Sequence, residues 1–181
     1  MNDDTNSPNL NGLSEPPRRF AVRDAAGRLQ ATLVRNADKT MWWRDALGIP
    51  GLGRLHAADL LYGVERLRRV PLDVPIVVTE GPKDCEACWR ARLVAVATLT
   101  GAGGVPTAAA LAPLRDRIVV LWPDADAGGA EHMRRVTEAL VDIAREIRVV
   151  DVTGLPPKAG AADLTPEAIA RRVARARAVR A

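Results

Sequence analysis

The second half of the chain alternates short β-branched runs with longer helix-forming segments, and this alternation limits the possible folds more than any other feature. The short runs predict four strands, at 75–79, 93–98, 118–122 and 147–152. The intervening segments predict helices, at 83–92, 106–114, 129–146 and from Pro166 onward. Because such alternation produces right-handed crossovers between parallel strands, the chain is predicted to be an α/β protein. We expect a parallel sheet of about four strands with helices on both faces.

The first 70 residues have a different character. Residues 1–17 are polar and predict a disordered leader. Residues 18–70 predict a small appendage, in which two β-forming runs flank the turn Asp24-Ala25-Ala26-Gly27 as a β-hairpin. A short helix signal follows at 56–63. The α/β domain is then expected to cover residues 71–181 and to end in a basic helix.

Charge and composition narrow the functional classes. The formal net charge of +4 suits a polyanionic partner without proving one. The chain has no run of 18 apolar residues, and its first residues lack the basic start and apolar stretch of a signal peptide. We therefore expect a cytoplasmic protein with no membrane partner.

Acidic residues follow two of the predicted strands. Glu80 comes directly after the first strand, and Asp124 and Asp126 come after the third. Ligands of parallel sheets bind beyond the carboxyl ends of the strands, and residues two apart in an extended segment point the same way. Asp84 lies one helical turn beyond Glu80. Carboxylates that converge in this way need a cation, and an all-oxygen ligand set favours Mg²⁺ or Mn²⁺.

The alternative for these acids is helix capping. Asp126 precedes the longest predicted helix, and Asp84 lies in the first turn of another, where carboxylates are stabilising in any case. Capping explains either residue alone. It does not explain three acids at the ends of two strands.

Two motifs resemble the signatures of Toprim domains. The segment TEGPKD at 79–84 resembles their Glu-Gly-x-x-Asp start, and DADAGG at 124–129 resembles their Asp-x-Asp-x-x-Gly signature. The glycine-rich TGAGG lies between them, and the resemblance extends over about 74–163. The segments LLYGVERL, EGPKD and PPKAGAAD make the chain most similar to the Toprim domains of phage and plasmid primase and primase-helicase proteins. The resemblance implies a Rossmann-like Toprim sheet.

The resemblance also implies roles for individual residues. Glu80 would act as general acid or base and as a metal ligand, and Asp124 and Asp126 would bind Mg²⁺ or Mn²⁺, with Asp84 beside them. Asp163 would be a further metal-facing acid, although an N-cap of the last helix explains it equally well. The implied chemistry is metal-assisted phosphoryl transfer. In primer synthesis a 3′-hydroxyl attacks a nucleoside triphosphate on single-stranded DNA, and a replicative helicase is a candidate partner.

The chain departs from the primase and primase-helicase pattern in two respects. The chain has one Cys-x-x-Cys with no second pair and two isolated histidines, so it is not expected to build a zinc-binding module, and there is no P-loop. The same acids would also serve a Toprim nuclease that uses water as nucleophile. A non-catalytic nucleic-acid-binding module is a third hypothesis. A topoisomerase is disfavoured because the single tyrosine, Tyr62, has no large gate around it.

Several other residues have both a functional and an ordinary interpretation. Lys83 is favoured as a phosphate contact, while the arginines of the last helix could follow a nucleic-acid backbone or form a solvated face. These arginines are Arg171, Arg172, Arg175, Arg177 and Arg180. Trp42 and Trp43 could stack on bases, but packing against the main domain is favoured. Cys85 and Cys88 are expected to be small buried hydrophobes, and neither histidine is assigned a ligand role.

Overall fold

The computed structural model describes residues 16–101 and 103–179. Most of the expected leader, residues 1–15, and Arg180 lie outside these ranges. The strands are β1 (Arg18–Arg23), β2 (Leu29–Arg35), β3 (Met41–Asp45), β4 (Ile76–Thr79), β5 (Val94–Ala97), β6 (Ile118–Trp122), β7 (Glu146–Val149) and β8 (Arg177–Ala178). The α-helices are α1 (Pro82–Arg90), α2 (Ala108–Leu111), α3 (Ala127–Leu140) and α4 (Pro166–Ala174).

The main sheet has five strands in the order β5-β4-β6-β7-β8. Strands β4 to β7 are parallel, as predicted, and β8 adds an antiparallel edge that pairs with β7. After β4 the chain crosses to β5 on one side, and it later returns to β6 on the other. The strand order therefore reverses between β4 and β6. The gap beyond the carboxyl ends of these two strands is where ligands of open α/β sheets bind.

Each face of the sheet has its own apolar core, because successive strand residues point to opposite sides. On one face, Val77, Val120 and Trp122 pack with residues of α1 and α4. On the other face, Ile76, Val78, Val119 and Leu121 pack with residues of α2 and α3. The expected arrangement of helices on both faces is confirmed.

The N-terminal region is a three-stranded antiparallel sheet in the order β1-β2-β3. Its hairpin turns at the expected Asp24 to Gly27, where Gly27 adopts φ +88° and its N–H bonds to the Asp24 carbonyl. Phe20, Val22 and Leu33 are buried in the same core as α1 and α4. Trp43 packs against that core, as expected, whereas Trp42 lies beneath the guanidinium of Arg44.

Four details differ from the sequence-based expectations. The strand β3 was not predicted, and neither was β8, which has two residues. The helix expected over 56–63 is reduced to a 3-10 turn at Ala57–Asp59. The helix α3 ends at Leu140 rather than near residue 146. Within the described ranges, no helix has the length and apolar character needed to cross a bilayer.

Candidate metal centre

The register of the central strands brings Glu80 and Asp124 together. Thr79 at the end of β4 lies beside Trp122 at the end of β6. Glu80 and Asp124, one and two residues further on, consequently leave the sheet at the same edge. Glu80 Oε1 accepts a 2.8 Å hydrogen bond from the Asp124 backbone N–H, which holds the Glu80 carboxylate over the neighbouring strand end.

Asp84 enters the same space from α1. Its Oδ1 accepts a 2.8 Å hydrogen bond from the backbone N–H of Ala162, so the carboxylate connects the first helical turn to the loop before α4. That loop is itself tied to the end of β6, because the backbone N–H groups of Ala125 and Lys158 bond to the carbonyls of Ala159 and Ala125. The loop therefore forms a wall beside the two strand ends.

Asp126 has a different position. Its Oδ1 accepts a 2.8 Å hydrogen bond from the Gly129 N–H and caps α3, as the capping interpretation expected. It does not line the cleft that Glu80, Asp84 and Asp124 share. Its charge is nevertheless close enough to raise the pKa of both Glu80 and Asp124.

The acids are partly buried and close to one another, and both conditions raise their pKa values. Burial, followed by the nearby carboxylates of Glu80 and Asp84, raises the pKa of Asp124 to about 7. Burial also raises the pKa of Glu80 and of Asp84, although each is opposed by its backbone hydrogen bond. Among the described residues, the Asp124 carboxylate accepts no hydrogen bond that could offset this cost.

Two glycines allow the acids to approach the backbone closely. A Cβ at Gly160 would lie 2.3 Å from Asp84 Oδ1 and 3.0 Å from Asp124 Oδ1. A Cβ at Gly129 would lie 2.6 Å from Glu80 Oε1. Gly160 thus lies between two carboxylates from different elements, and any side chain there would fill the space between them.

The acids line a cleft of about 520 Å³ that has a basic rim. Lys83 Nζ lies 3.4 Å from Asp163 Oδ1, and both residues line the cleft. Asp163 Oδ2 also accepts a hydrogen bond from the Gly160 N–H, and this bond lowers the pKa of Asp163 more than the nearby lysines do. Thr165, not Asp163, caps α4.

Sequence reasoning missed three cations on this rim. Arg35 at the end of β2, Lys39 in the β2–β3 turn and Lys158 in the loop before α4 all line the cleft. Lys39 and Lys158 adopt positive φ values of 69° and 64°, which place them at sharp turns. The sequence analysis gave them no role, although Lys158 lies in the PPKAGAAD segment, because they reach the cleft only through the docking of distant segments.

The donor chemistry fits a hard divalent cation. Oxygen ligands from Glu80, Asp84 and Asp124 face one cleft, and a cation there would relieve the repulsion that raises their pKa values. In the described part of the chain, no three Asp, Glu, His or Cys side chains already form a closed ligand set. One oxygen of Glu80 and one of Asp84 accept hydrogen bonds from backbone N–H groups.

The remaining predicted residues lie elsewhere. Arg171, Arg172 and Arg175 line a separate cleft beside α4. Cys85 and Cys88 are free and fully buried in the core, where burial raises the pKa of both thiols. His132 is also buried, and its Nε2 lies 3.0 Å from Thr98 Oγ1.

Comparisons with known proteins identify the fold. The chain matches the E. coli primase catalytic core with a TM-score of 0.66 and 22% identity over 90% of this chain and 53% of that one. It matches the DnaG primase catalytic domain bound to ssDNA with a TM-score of 0.65 and 22% identity over 90% and 52% of the two chains. It matches the primase fragment of the bacteriophage T7 primase-helicase protein with a TM-score of 0.60 and 20% identity over 88% and 62%.

These likenesses establish that the chain has the Toprim-type α/β fold of primase catalytic cores, as the sequence motifs predicted. The chain spans about half the length of the first two structures. Comparison of the sequence with protein-family models and with curated proteins found no match.

Proposed function

We propose that this chain is a primase-like nucleotidyltransferase that joins nucleotides on a single-stranded DNA template with Mg²⁺ or Mn²⁺. The observation that carries the proposal is the meeting of Glu80, Asp84 and Asp124 at the switch point of a sheet with the fold of primase cores. The neighbour that was solved with ssDNA supports a single strand as the template. The primase domains of the T7 protein, solved on an RNA/DNA hybrid, support RNA as the product.

The residues of the cleft have distinct roles in this proposal. Asp124 and Asp84 would hold the cation, Glu80 would hold it or move a proton at the attacking 3′-hydroxyl, and Asp126 would fix the backbone around Asp124 by capping α3. A bound divalent cation would activate the attacking oxygen and stabilise charge on the phosphate. Lys39, Lys83 and Lys158 on the rim would contact the triphosphate of the incoming nucleotide.

The experiment is ribonucleotide incorporation. The purified full chain is incubated with a single-stranded template, labelled ribonucleotides and Mg²⁺ or Mn²⁺, with and without a replicative helicase. We expect short RNA products from the wild type and a loss of at least 100-fold in Glu80→Gln. The matched control is Glu131→Gln, an exposed residue of α3 that is paired with Arg134 and does not line the cleft.

The other outcomes separate the competing functions. Cleavage of the template without incorporation, lost in Glu80→Gln, would identify a nuclease and reject the proposal. Strand binding with neither reaction, unchanged in Asp124→Asn/Asp126→Asn, would identify a non-catalytic module.

A further inference from the structure

A second cleft, of about 480 Å³, lies beside α4 and is strongly basic. Its lining consists of four arginines, one aspartate and two apolar residues: Arg171, Arg172, Arg175, Arg177, Asp151, Leu164 and Ala168. Four guanidinium groups against one carboxylate give the lining a net formal charge of +3. We refer to this feature as the arginine cleft.

The packing of α4 gathers these arginines on one side. Ile169 and Val173 are buried against the core and fix the inward face of the helix. Arg171 and Arg175, one turn apart, consequently lie on its exposed side. The chain then turns back as β8, which pairs with β7 and brings Arg177 to the same cleft.

The positive charges of the arginine cleft are only partly compensated by nearby carboxylates, since Asp151 interacts electrostatically with Arg172 and Arg177, and Glu167 with Arg171. None of its four arginines takes part in any salt bridge between described residues. Arg172 donates to the backbone carbonyl of Asp151, whose carboxylate accepts from the Thr153 N–H. By contrast, Arg134 on α3 forms salt bridges with Glu131 and Glu138. The four guanidinium groups share one carboxylate in the lining of the cleft, so positive charge is in excess there and an anion would be attracted to it.

The arginine cleft adjoins the acidic cleft. Asp163 lines the acidic cleft and Leu164, the next residue, lines the arginine cleft. Both clefts lie beyond the carboxyl ends of parallel strands, since Asp124 follows β6 and Asp151 follows the neighbouring β7. A ligand long enough to cross the short 3-10 turn at Ala161–Asp163 would touch both.

We propose that the arginine cleft binds the phosphodiester backbone of a nucleic-acid strand that continues from the acidic cleft. Phosphates match the fork geometry of guanidinium groups, and a strand is the anion that extends over both clefts. The identity of the strand as template or product rests on the proposed function. Binding to the arginine cleft itself needs neither metal nor catalysis, so its test is separate.

The test measures binding of a fluorescent 20-nucleotide single strand to the full chain by anisotropy, in EDTA and over a range of salt concentrations. The variant is Arg171→Gln/Arg175→Gln, which keeps the Arg172 contact with the backbone. The matched control is Arg68→Gln/Arg69→Gln. These two exposed arginines lie at the opposite edge of the sheet, where Arg117, just before β6, binds the Leu67 and Val70 carbonyls.

We expect the affinity of the variant for the single strand to fall about tenfold at low salt. The slope of log K against log salt should become shallower by about 1.4, because two phosphate contacts are lost and each contributes about 0.7 on a single strand. The affinity of the control variant for the single strand should stay within twofold of the wild-type affinity. Equal losses in both variants, or no loss in Arg171→Gln/Arg175→Gln, would overturn the proposal.

Two further arms identify the ligand. Polyglutamate of matched charge should compete at least tenfold more weakly than the oligonucleotide, and equal competition would instead indicate an acidic protein partner. Free triphosphate should compete weakly, and tight competition would instead indicate a small polyphosphate. Circular dichroism of each variant checks the fold. In the Asp124→Asn variant, the affinity for the single strand should still depend on Arg171 and Arg175, even if nucleotide incorporation is absent. Failure of this proposal can therefore be distinguished from failure of the proposed function.

Discussion

The acidic residues in and beside the cleft differ in how their charges are stabilised. Glu80 and Asp84 each accept a hydrogen bond from a backbone N–H of a distant segment, and Asp126 accepts one at the start of its own helix. Burial among other carboxylates raises the pKa of Asp124 to about 7, and its carboxylate accepts no such hydrogen bond from the described residues. In the metal-free protein Asp124 is therefore a source of instability, which makes it a sensitive probe of the site.

The first prediction concerns pH. The folded-state pKa of Asp124, about 7, lies above the ordinary value of 3.8. Its contribution to stability is therefore fully present below pH 3.8 and is lost as the pH rises to 7. We expect Asp124→Asn to raise the free energy of unfolding at pH 8 in EDTA by about 1 kcal/mol, a figure reduced because the carboxylate is partly exposed and screened. At pH 4 the free energies of unfolding of the wild type and Asp124→Asn should differ little.

Urea denaturation at pH 4 and pH 8 provides the measurement. The control is Glu131→Gln, which removes an exposed carboxylate whose pKa is lowered by its bond to Arg134 and should not gain stability at pH 8. If the wild type and Asp124→Asn had the same free energy of unfolding at pH 8, the ionised Asp124 carboxylate would not be destabilised by its burial and by its acidic neighbours. Saturating Mn²⁺ should stabilise the wild type and not the variant.

The second prediction concerns Gly160. A methyl group at this position would lie within 3.0 Å of oxygens of both Asp84 and Asp124. We expect Gly160→Ala to cost about 1–3 kcal/mol, as overpacking usually does, and to weaken Mn²⁺ binding at least tenfold by separating the two carboxylates. The control is Gly103→Ala, where an added methyl group meets nothing within 4 Å. Calorimetric titration with Mn²⁺ decides, and unchanged affinity in Gly160→Ala would argue against a cation between these residues.

Among the helices and strands, those ends that depend only on the local sequence were predicted correctly. The ends of β4 and β6 were foreseeable because β-branched runs stop at Glu80 and at Pro123. The end of α3 was not foreseeable, because its apolar spacing continues through Ile143 and Ile147, which are buried although they lie beyond the helix. The strand β8 has too few residues to leave a pattern and forms only because β7 offers an edge.

The third prediction concerns the link between α3 and the end of β4. Thr98, just after β5, is fully buried, and its hydroxyl lies 3.0 Å from His132 Nε2 on α3 and 3.3 Å from the carbonyl of Glu80. Burial lowers the pKa of His132, which favours the neutral imidazole. Thr98→Val would leave both partners without this bond and should cost about 1–3 kcal/mol. We also expect Mn²⁺ affinity to fall several-fold, because the backbone at Glu80 is less firmly held.

The control for this link is Thr98→Ser, which keeps the hydroxyl and should restore most of the metal affinity. Urea denaturation and Mn²⁺ titration are measured on both variants. If Thr98→Val binds Mn²⁺ as the wild type does, the hydroxyl does not position Glu80.

At the scale of the whole molecule, the N-terminal sheet is a wall of the candidate site. Phe20, Leu33, Arg35, Lys39 and Met41 line the cleft together with the acids of the main sheet. The sequence predicted the hairpin but not this contact, because the contact depends on how two distant segments pack. The acidic half of the cleft and Lys83 were therefore predictable from the segments that follow the strands, whereas Arg35, Lys39 and Lys158 were not.

Phe20 joins the two sheets, and its removal provides the last prediction. Its ring packs edge-to-face on Tyr62 at 5.9 Å, and Tyr62 stacks on Trp89 of α1 at 5.2 Å. The backbone of Tyr62 also pairs with Ala97 of β5. Phe20 is 2% exposed, so Phe20→Ala should cost about 3–5 kcal/mol. The exposed Leu47 of the same region is the control, and Leu47→Ala should cost less than about 0.5 kcal/mol.

The same variant tests whether the two sheets unfold together. Trp42 and Trp43 report on the N-terminal sheet, while Trp89 and Trp122 report on the main domain. Because one core includes residues of both, fluorescence and far-UV circular dichroism should give coincident urea transitions in the wild type. Phe20→Ala should shift both transitions together and weaken nucleotide binding, since the wall that carries Arg35 and Lys39 loses its anchor. Two separate transitions in the wild type would mean that the N-terminal sheet is an independent unit, and the cleft would then depend on a contact too weak to organise it.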